Sequence, residues 1–464
     1  MNRFEEKRIK YFMKNLNRII WFLGFVFILF SCQQIPEEYA AADKFRLSWT
    51  DDPTTTMTII WDQKVGAEAT IFYGKEDFGR QFWKYDHQQK PTEKLLNYYH
   101  MNTFYCTLEN LQPDAIYFFL LKDSVGVSKR FSFRTAPDKP QQFTFVTGGD
   151  TKSSGASLEA GRASNKMVAK LRPLFVLFNG DFNSGNGTYP DRWHQWLNDW
   201  ESLATTADGR LFPVIAVHGN HENGNKSILN KIFGAPFQGT DSTNIYYSLS
   251  IGGDFFHMIS LNTEIDEGGA QRDWLQHDLQ AHADFTFKIA GYHKPFWPHT
   301  AKKGENEYQY EQWAGLFYKY GLNMSFDGDS HMHKITYPLR PSRENGSYLG
   351  FIRDDENGTM FVGEGSWGAH PRPNDDDKPW TMQSESVNQI KWIHVKPAEP
   401  GSPASMEIFT VITSRYDAEQ NQTFYVDDVE SISDGNRFEI PQNITLFTGK
   451  DSVKSVKYPL HLNE

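Results

Sequence analysis

Two cysteines in 464 residues exclude a disulfide framework as the basis of this fold. Cys106 lies in "TFYCTLENL", an alternating strand pattern that treats it as a small buried hydrophobe. Stability must come from packing, with metal ions as the remaining cross-link. Positive charge is also scarce. The formal net charge of -11 argues against nucleic-acid binding, which needs a basic face to meet phosphate. Neither an internal repeat nor a long low-complexity stretch is present, so the pattern is not that of a stacked array. Long apolar runs are missing too. The longest, residues 19–30, is too short and too closely followed by polar sequence to span a bilayer comfortably. What remains is a chain long enough for two or three domains and one large core. It is rich in aromatics, 15% with 13 Trp, as suits sheet-rich domains or carbohydrate-contacting surfaces.

The start of the chain reads as a targeting segment. "MKNLNRIIWFLGFVFILFSC" runs from a basic beginning at Met13 through the apolar stretch to a small residue before Cys32. "LFSC" resembles the lipobox of bacterial lipoproteins, which implies cleavage before Cys32 and acylation of its thiol. Residues 1–32 are then signal and 33–42 a polar tether. Gln33 is not the aspartate that often retains lipoproteins at the inner membrane. The expectation is a lipid-anchored protein of a bacterial cell envelope, facing the periplasm or the surface, with the outer membrane favoured. An ordinary cleaved signal is the alternative.

Residues 43–136 alternate aromatic and β-branched residues in short runs such as "TMTIIWD", "ATIFYG" and "AIYFFLLKD", the spacing of a small β-sandwich. "TLENLQPDAIYFF" resembles the tyrosine-corner region of fibronectin type III-like domains, with Leu111, Pro113 and Tyr117 as anchors. After the linker "RTAPDKPQQ", apolar runs alternate with helical stretches over 143–425, which indicates an α/β unit with its active loops at the strand C-termini. The late runs "KITYPL", "TMFVGEG", "IKWIHVK" and "MEIFTVIT" suit a second sheet packed on the first. "PRPNDDDKP" at 371–379 reads as a solvated loop, and 426–464 as a C-terminal extension.

Each strand of the α/β unit ends in a polar cluster. "FVTGGD" ends at Asp150, "LFNGD" at Asp181, "IAVHGNHE" supplies Asn220, His221 and Glu222, "IAGYHKP" supplies His293, and "FDGDSHMHKI" supplies His331 and His333. Singly, such residues are common as helix caps, turns or satisfied core histidines. Five strand ends meeting at one rim form a mixed carboxylate, amide and imidazole site for metal.

These blocks, in this order and spacing, resemble the calcineurin-like metallophosphoesterase superfamily, in its purple-acid-phosphatase-like branch, over roughly residues 43–415. The resemblance implies an α/β fold, a four-layer α/β/β/α sandwich preceded by a small all-β sandwich. It implies two divalent cations (zinc, manganese or iron). Asp150 and His333 would hold the first, Asn220, His293 and His331 the second, and Asp181 would bridge them. A metal-bridging hydroxide would attack a phosphomonoester. His221 would contact the phosphate or protonate the leaving oxygen, oriented by Glu222. His299 and Lys152 are further phosphate contacts by this reading, or else surface residues. The family usually supplies an extra first-metal ligand at one of two positions, which here hold Lys152 and Ser184, with Tyr189 near enough in sequence to substitute, and Ser330 stands where a glycine precedes the histidine pair. The alternatives are a phosphodiesterase acting on nucleotides or lipid head groups, and a non-catalytic glycan-binding surface lipoprotein.

Overall fold

The computed structural model describes residues 36–448 apart from 67, 418–421 and 436, together with the strand backbone of Val456–Pro459 and the isolated positions 10 and 13. Cys32 and the signal segment fall outside the described residues, as does the start of the tether. No helix among the described residues is long and apolar enough to cross a membrane.

The N-terminal unit is all-β. One antiparallel sheet has the order Ala42–Ser48, Met57–Gln63, Met101–Leu108, Glu93–Tyr98, and the other His87–Gln89, Thr70–Gly74, Ile116–Lys122, Phe131–Arg134. Inward-facing rings join the two: Phe45 of the first sheet lies 4.8 Å from Phe131 of the second. The Tyr117 hydroxyl accepts the Gln112 N–H at 2.9 Å, which ties the crossing chain to its own strand. Ala42–Ser48 is covered on both faces. Phe45 and Leu47 enter the core, while Arg46, fully buried, donates through Nε to the Ile232 carbonyl at 2.7 Å. Just beyond, Trp49 meets Phe175 of the next unit at 5.6 Å. The sandwich and the α/β unit therefore share one continuous core.

The α/β unit has two mixed sheets packed face to face. The first has the order Val214–Ala216, Phe175–Phe178, Phe143–Gly148, Asn388–Lys396, Ser405–Asp417, Gln422–Tyr425, and the second runs from Tyr247–Ile251 through Phe256–Ser260, Phe287–Gly291, Met324–Phe326, Met360–Gly363 and His333–Thr336 to Thr381–Glu385. Phe145 bridges them, 5.8 Å from both Phe256 and Phe326. Helices Gly155–Leu171 and Pro190–Ala204 cover the first sheet, and Gly269–Ala281 and Glu307–Lys319 the second. Strand Phe287–Gly291 shows why these strands read as unbroken apolar runs. Phe287 and Ile289 face the inter-sheet core, while Ala290 and, just past the strand, Tyr292 join the cluster under the outer helices. The aromatic content goes into these layers, and none of the described tryptophans is exposed.

The late strands do not form one separate sheet, as their sequence suggested. His333–Thr336 and Met360–Gly363 extend the second sheet, whereas Asn388–Lys396 and Ser405–Asp417 complete the first beside Phe143–Gly148. Only Met360–Gly363 adds in parallel, beside Met324–Phe326, and the other three pair antiparallel with their neighbours. Past residue 425 the chain stays on the same body. Val429 and Ile432 enter the core, and Val456–Pro459 pairs with Ser405–Asp417.

Because Trp49 joins the two units, Trp49→Ala is expected to cost ~3–5 kcal/mol and to lower one melting transition common to both. Calorimetry showing two transitions, with only the smaller displaced, would refute the shared core.

Candidate metal centre

The strand ends of both sheets meet at one rim, and the ligand-bearing turns there are tightly specified. Asp150 and Asp181 follow the parallel strands Phe143–Gly148 and Phe175–Phe178, both with positive φ (67° and 54°). The Asp150 N–H donates to the Gly180 carbonyl at 3.1 Å, which links the two turns. A Cβ on Gly365 would fall 1.9 Å from Asp150 Oδ2, and one on Gly180 2.7 Å from His293 Nδ1. Glycine is required at both positions.

His293 is fully buried, and its Nδ1 donates to the Asn179 carbonyl at 2.8 Å. That bond leaves Nε2 to face the centre. Around Nε2 stand Asn220 Oδ1 at 3.1 Å, Asp181 Oδ1 at 3.3 Å and Asp329 Oδ1 at 3.7 Å. Burial alone would pull the His293 pKa down, but the Asp181, Asp150 and Asp329 carboxylates outweigh it and push it up to about 9. On the other side His331 Nε2 lies 3.4 Å from Asp150 Oδ1. Asp150, Asp181 and His331 each offer a ligand atom within 4.8 Å of the others.

The histidine pair is therefore not used as its spacing suggested. His331 sits with Asp150, on the first-metal side, and Asp329 takes the place beside His293 expected of His331. His333 is outside the centre. It is the first residue of strand His333–Thr336, fully buried, with Nδ1 accepting from Lys391 Nζ at 2.5 Å and its ring 4.6 Å from Phe447. Burial, then Lys391, push its pKa well below the ordinary value. The two-residue spacing occurs twice in "GDSHMH", and Gly328 before Asp329 was the sign of the right register. A Cβ on Gly328 would meet Asp150 Oδ2 at 2.7 Å, so this is the close-approach glycine that Ser330 could not be. Asp329 and His331 both have positive φ (64° and 56°), and the Asp329 N–H donates to both Asp150 oxygens at 3.0 and 3.1 Å.

Glu222 does not orient His221. Its wholly buried carboxylate accepts the N–H groups of Asp181 and Gly219 at 2.9 Å and of Phe182 at 3.0 Å. The carboxylate beside His221 is Asp181, with Oδ2 3.6 Å from Nε2 and Oδ1 accepting the His221 N–H at 2.8 Å. His221 remains accessible at 32%, and burial, then Lys152 and His293, lower its pKa against the pull of Asp181. Lys152 Nζ lies 3.9 Å from Asp181 Oδ2. Lys303, unremarked in the sequence, bonds Asp329 Oδ1.

His299 is neither a surface residue nor in reach of a phosphate. It is fully buried, Nδ1 bonds Glu364 Oε1 at 2.9 Å and Nε2 bonds Thr381 Oγ1 at 2.7 Å. Lys334 completes this cluster, 3.1 Å from Glu364 and 2.7 Å from Asp327. Burial would raise Glu364, but Lys334 and His299 hold it down at about 2. The loop at 371–379 is less solvated than its composition suggests. The Arg372 N–H donates to the His331 carbonyl at 3.0 Å and its guanidinium to the Asp329 carbonyl at 2.5 Å. Ser184 Oγ donates to Ser153 Oγ at 3.0 Å, and Tyr189, 62% exposed, does not fold back to replace the missing ligand.

The donor set is three carboxylates, one amide oxygen and two imidazoles, nearly all buried. Convergence of that many anionic oxygens fits divalent cations of hard or borderline character.

Residues 42–135 match the family model described as Purple acid Phosphatase, N-terminal domain, and residues 155–333 that of Calcineurin-like phosphoesterase. Purple acid phosphatase 15 of Arabidopsis thaliana is 26% identical over 285 residues, 53% of this chain and 52% of the relative. The chain thus spans about half the length of that protein. Among solved structures, purple acid phosphatase PPD1 from yellow lupin superposes with a TM-score of 0.63 at 15% identity, over 83% of this chain and 74% of that one. PhoD gives 0.59 at 12% identity, over 92% and 94%. The structural likenesses show the fold, a mixed α/β body preceded by an all-β domain.

Two outcomes follow from the ligand register and the buried cluster. Asp329→Ala is expected to lower metal content measured by mass spectrometry, whereas His333→Gln retains it; the reverse pattern would restore His333 as a ligand. Lys334→Met, which strands two buried carboxylates, should cost ~3–5 kcal/mol in denaturant unfolding, and a loss under ~1 kcal/mol would refute the role of Lys334 as their counter-ion.

Proposed function

We propose that this chain is a binuclear metal-dependent phosphoesterase acting on phosphomonoesters. The observation that carries the reading is the convergence of Asp150, Asp181, Asn220, His293, Asp329 and His331 at the strand ends of two packed sheets, with His221 accessible beside them. Asp150, His331 and the shared Asp181 would hold one cation, and Asn220, His293, Asp329 and Asp181 the other. Bound there, paired divalent ions supply Lewis acidity toward the phosphoryl oxygens and an activated water at neutral pH.

The chain's own groups do the rest. The backbone bond from His221 to Asp181 fixes where its imidazole stands, and its Nε2 is the accessible proton carrier nearest the centre. Lys152 adds a positive charge at the same edge for the phosphate of the substrate. The order of basic start, apolar run and "LFSC" supports placement at a bacterial membrane through a lipid on Cys32.

Hydrolysis of an aryl phosphate by protein loaded with zinc or manganese tests the activity. A marked preference for an aryl diester over the monoester would overturn the monoesterase assignment. His221→Ala should keep its metals and lose about 10²–10⁴-fold in rate. The loss should be greatest for poor leaving groups, which need a proton, and equal loss across leaving groups would assign His221 to phosphate binding instead.

A further inference from the structure

Beside the metal centre, between helices Gly155–Leu171 and Pro190–Ala204, lies a small open cleft lined by Lys152, Arg162, Asn183, Arg192 and Asp199 among others. Its floor is the two ligand turns themselves, since Lys152 and Asn183 each stand two residues beyond a metal-site aspartate. The lining is rich in donors. Arg162 is neutralised by Asp199 at 3.0 Å and Glu159 at 2.7 Å. Arg192 has no carboxylate partner among the described residues; one guanidinium nitrogen donates to the Ser153 carbonyl at 2.9 Å. Asn183 is only 2% exposed, and its Oδ1 accepts the Gly185 N–H at 2.8 Å. That bond fixes which end of the amide is which. Its Nδ2 is buried with no partner among the described residues, a state that costs free energy unless an acceptor fills it.

We propose that this cleft binds a second oxyanion, a carboxylate or phosphate, carried by the same substrate whose phosphoester lies at the metal centre. Arg192 and Asn183 Nδ2 are its donors, and Lys152 stands between the two anionic groups, near Asp181 on one side and lining the cleft on the other. The substrate class is thus a phosphomonoester bearing another acidic group close to the ester. The inference rests on the phosphoesterase reading above.

The test compares equilibrium binding of methylphosphonate and phosphonoacetate to the metal-loaded full chain by titration calorimetry. Phosphonoacetate is expected to bind about tenfold tighter or more, the scale of a hydrogen bond to a charged group. Arg192→Ala should bring the affinity ratio near one, and Arg192→Lys should restore part of it. Asn183→Asp keeps the acceptor for Gly185 while replacing the donor by a negative charge, so it should bring the ratio below one. Equal affinities in the wild-type protein, or a preference that survives Arg192→Ala because the carboxylate chelates metal, would overturn the subsite alone. Failure of both phosphonates to bind would overturn the phosphoesterase reading and the subsite with it.

Discussion

A single buried carboxylate holds the centre in shape. Glu222 collects N–H groups from Gly219, in its own turn, and from Asp181 and Phe182, on the neighbouring strand end. Three backbone donors on one carboxylate are a strong arrangement in a site closed to water, and they fix two ligand turns relative to each other. From that point the remaining ligands are placed by short links. Asp181 takes the His221 N–H, Asp150 takes the Asp329 N–H, and His293 is aimed by the Asn179 carbonyl. Four of the six candidate ligands, Asp150, Asp181, Asp329 and His331, have left-handed backbones. Such conformations cost ~1–3 kcal/mol each in non-glycine residues and persist where surroundings over-determine them. Among these the Glu222 carboxylate holds the Asp181 backbone directly.

The same enclosure sets the charge balance. Asp150, Asp181 and Asp329 are buried and close together, and within the chain they are offset by groups already at the rim: the imidazole of His293, whose pKa they push up to about 9, Lys303 on Asp329 and Lys152 beside Asp181. Lys152 and Lys303 are themselves partly exposed, and a cation held by the carboxylates would need His293 as the neutral imidazole. Positive charge therefore lies at the mouth of the site, where an anionic ester arrives, although the chain as a whole is acidic.

Much of this was legible in the sequence. Runs such as "FTFVT" and "LFVLFN" announce strands buried on both faces, and a polar cluster directly after each one marks the rim they share. Asp150, Asp181, Asn220 and His293 each lie in the polar cluster after one strand, the family resemblance singled them out there, and the structure brings them to one rim. The last turn was ambiguous because Asp329, His331 and His333 repeat the same interval. Only packing separates them: the chain enters strand His333–Thr336 at His333, which turns that ring toward Lys391, while the positive-φ turn before it sets the Asp329 carboxylate beside His293 and His331 beside Asp150. Glu222 and His299 were misjudged for another reason. Their roles depend on partners distant in sequence, Asp181 for one and Glu364 for the other, and neither partner leaves a local trace.

The β-sandwich is part of the site's support. Its Glu93–Tyr98 and Met101–Leu108 strands are joined by a tip at which Asn97, Tyr99 and His100 all have positive φ. From that tip Tyr99 donates its hydroxyl to the Gly187 carbonyl, and Tyr98 and Tyr99 accept from Asn225 Nδ2 at 2.7 and 3.1 Å. His194 bonds the Tyr99 carbonyl at 2.9 Å. Gly187 belongs to the loop that leaves Asp181, and Asn225 closes the short helix that begins at Asn220. One hairpin thus grips the outer ends of the two turns whose inner ends meet on Glu222. A loop pinned at both ends has little conformational entropy left to lose when its ligands close on a cation, and this preorganisation is what the fused sandwich adds to the centre.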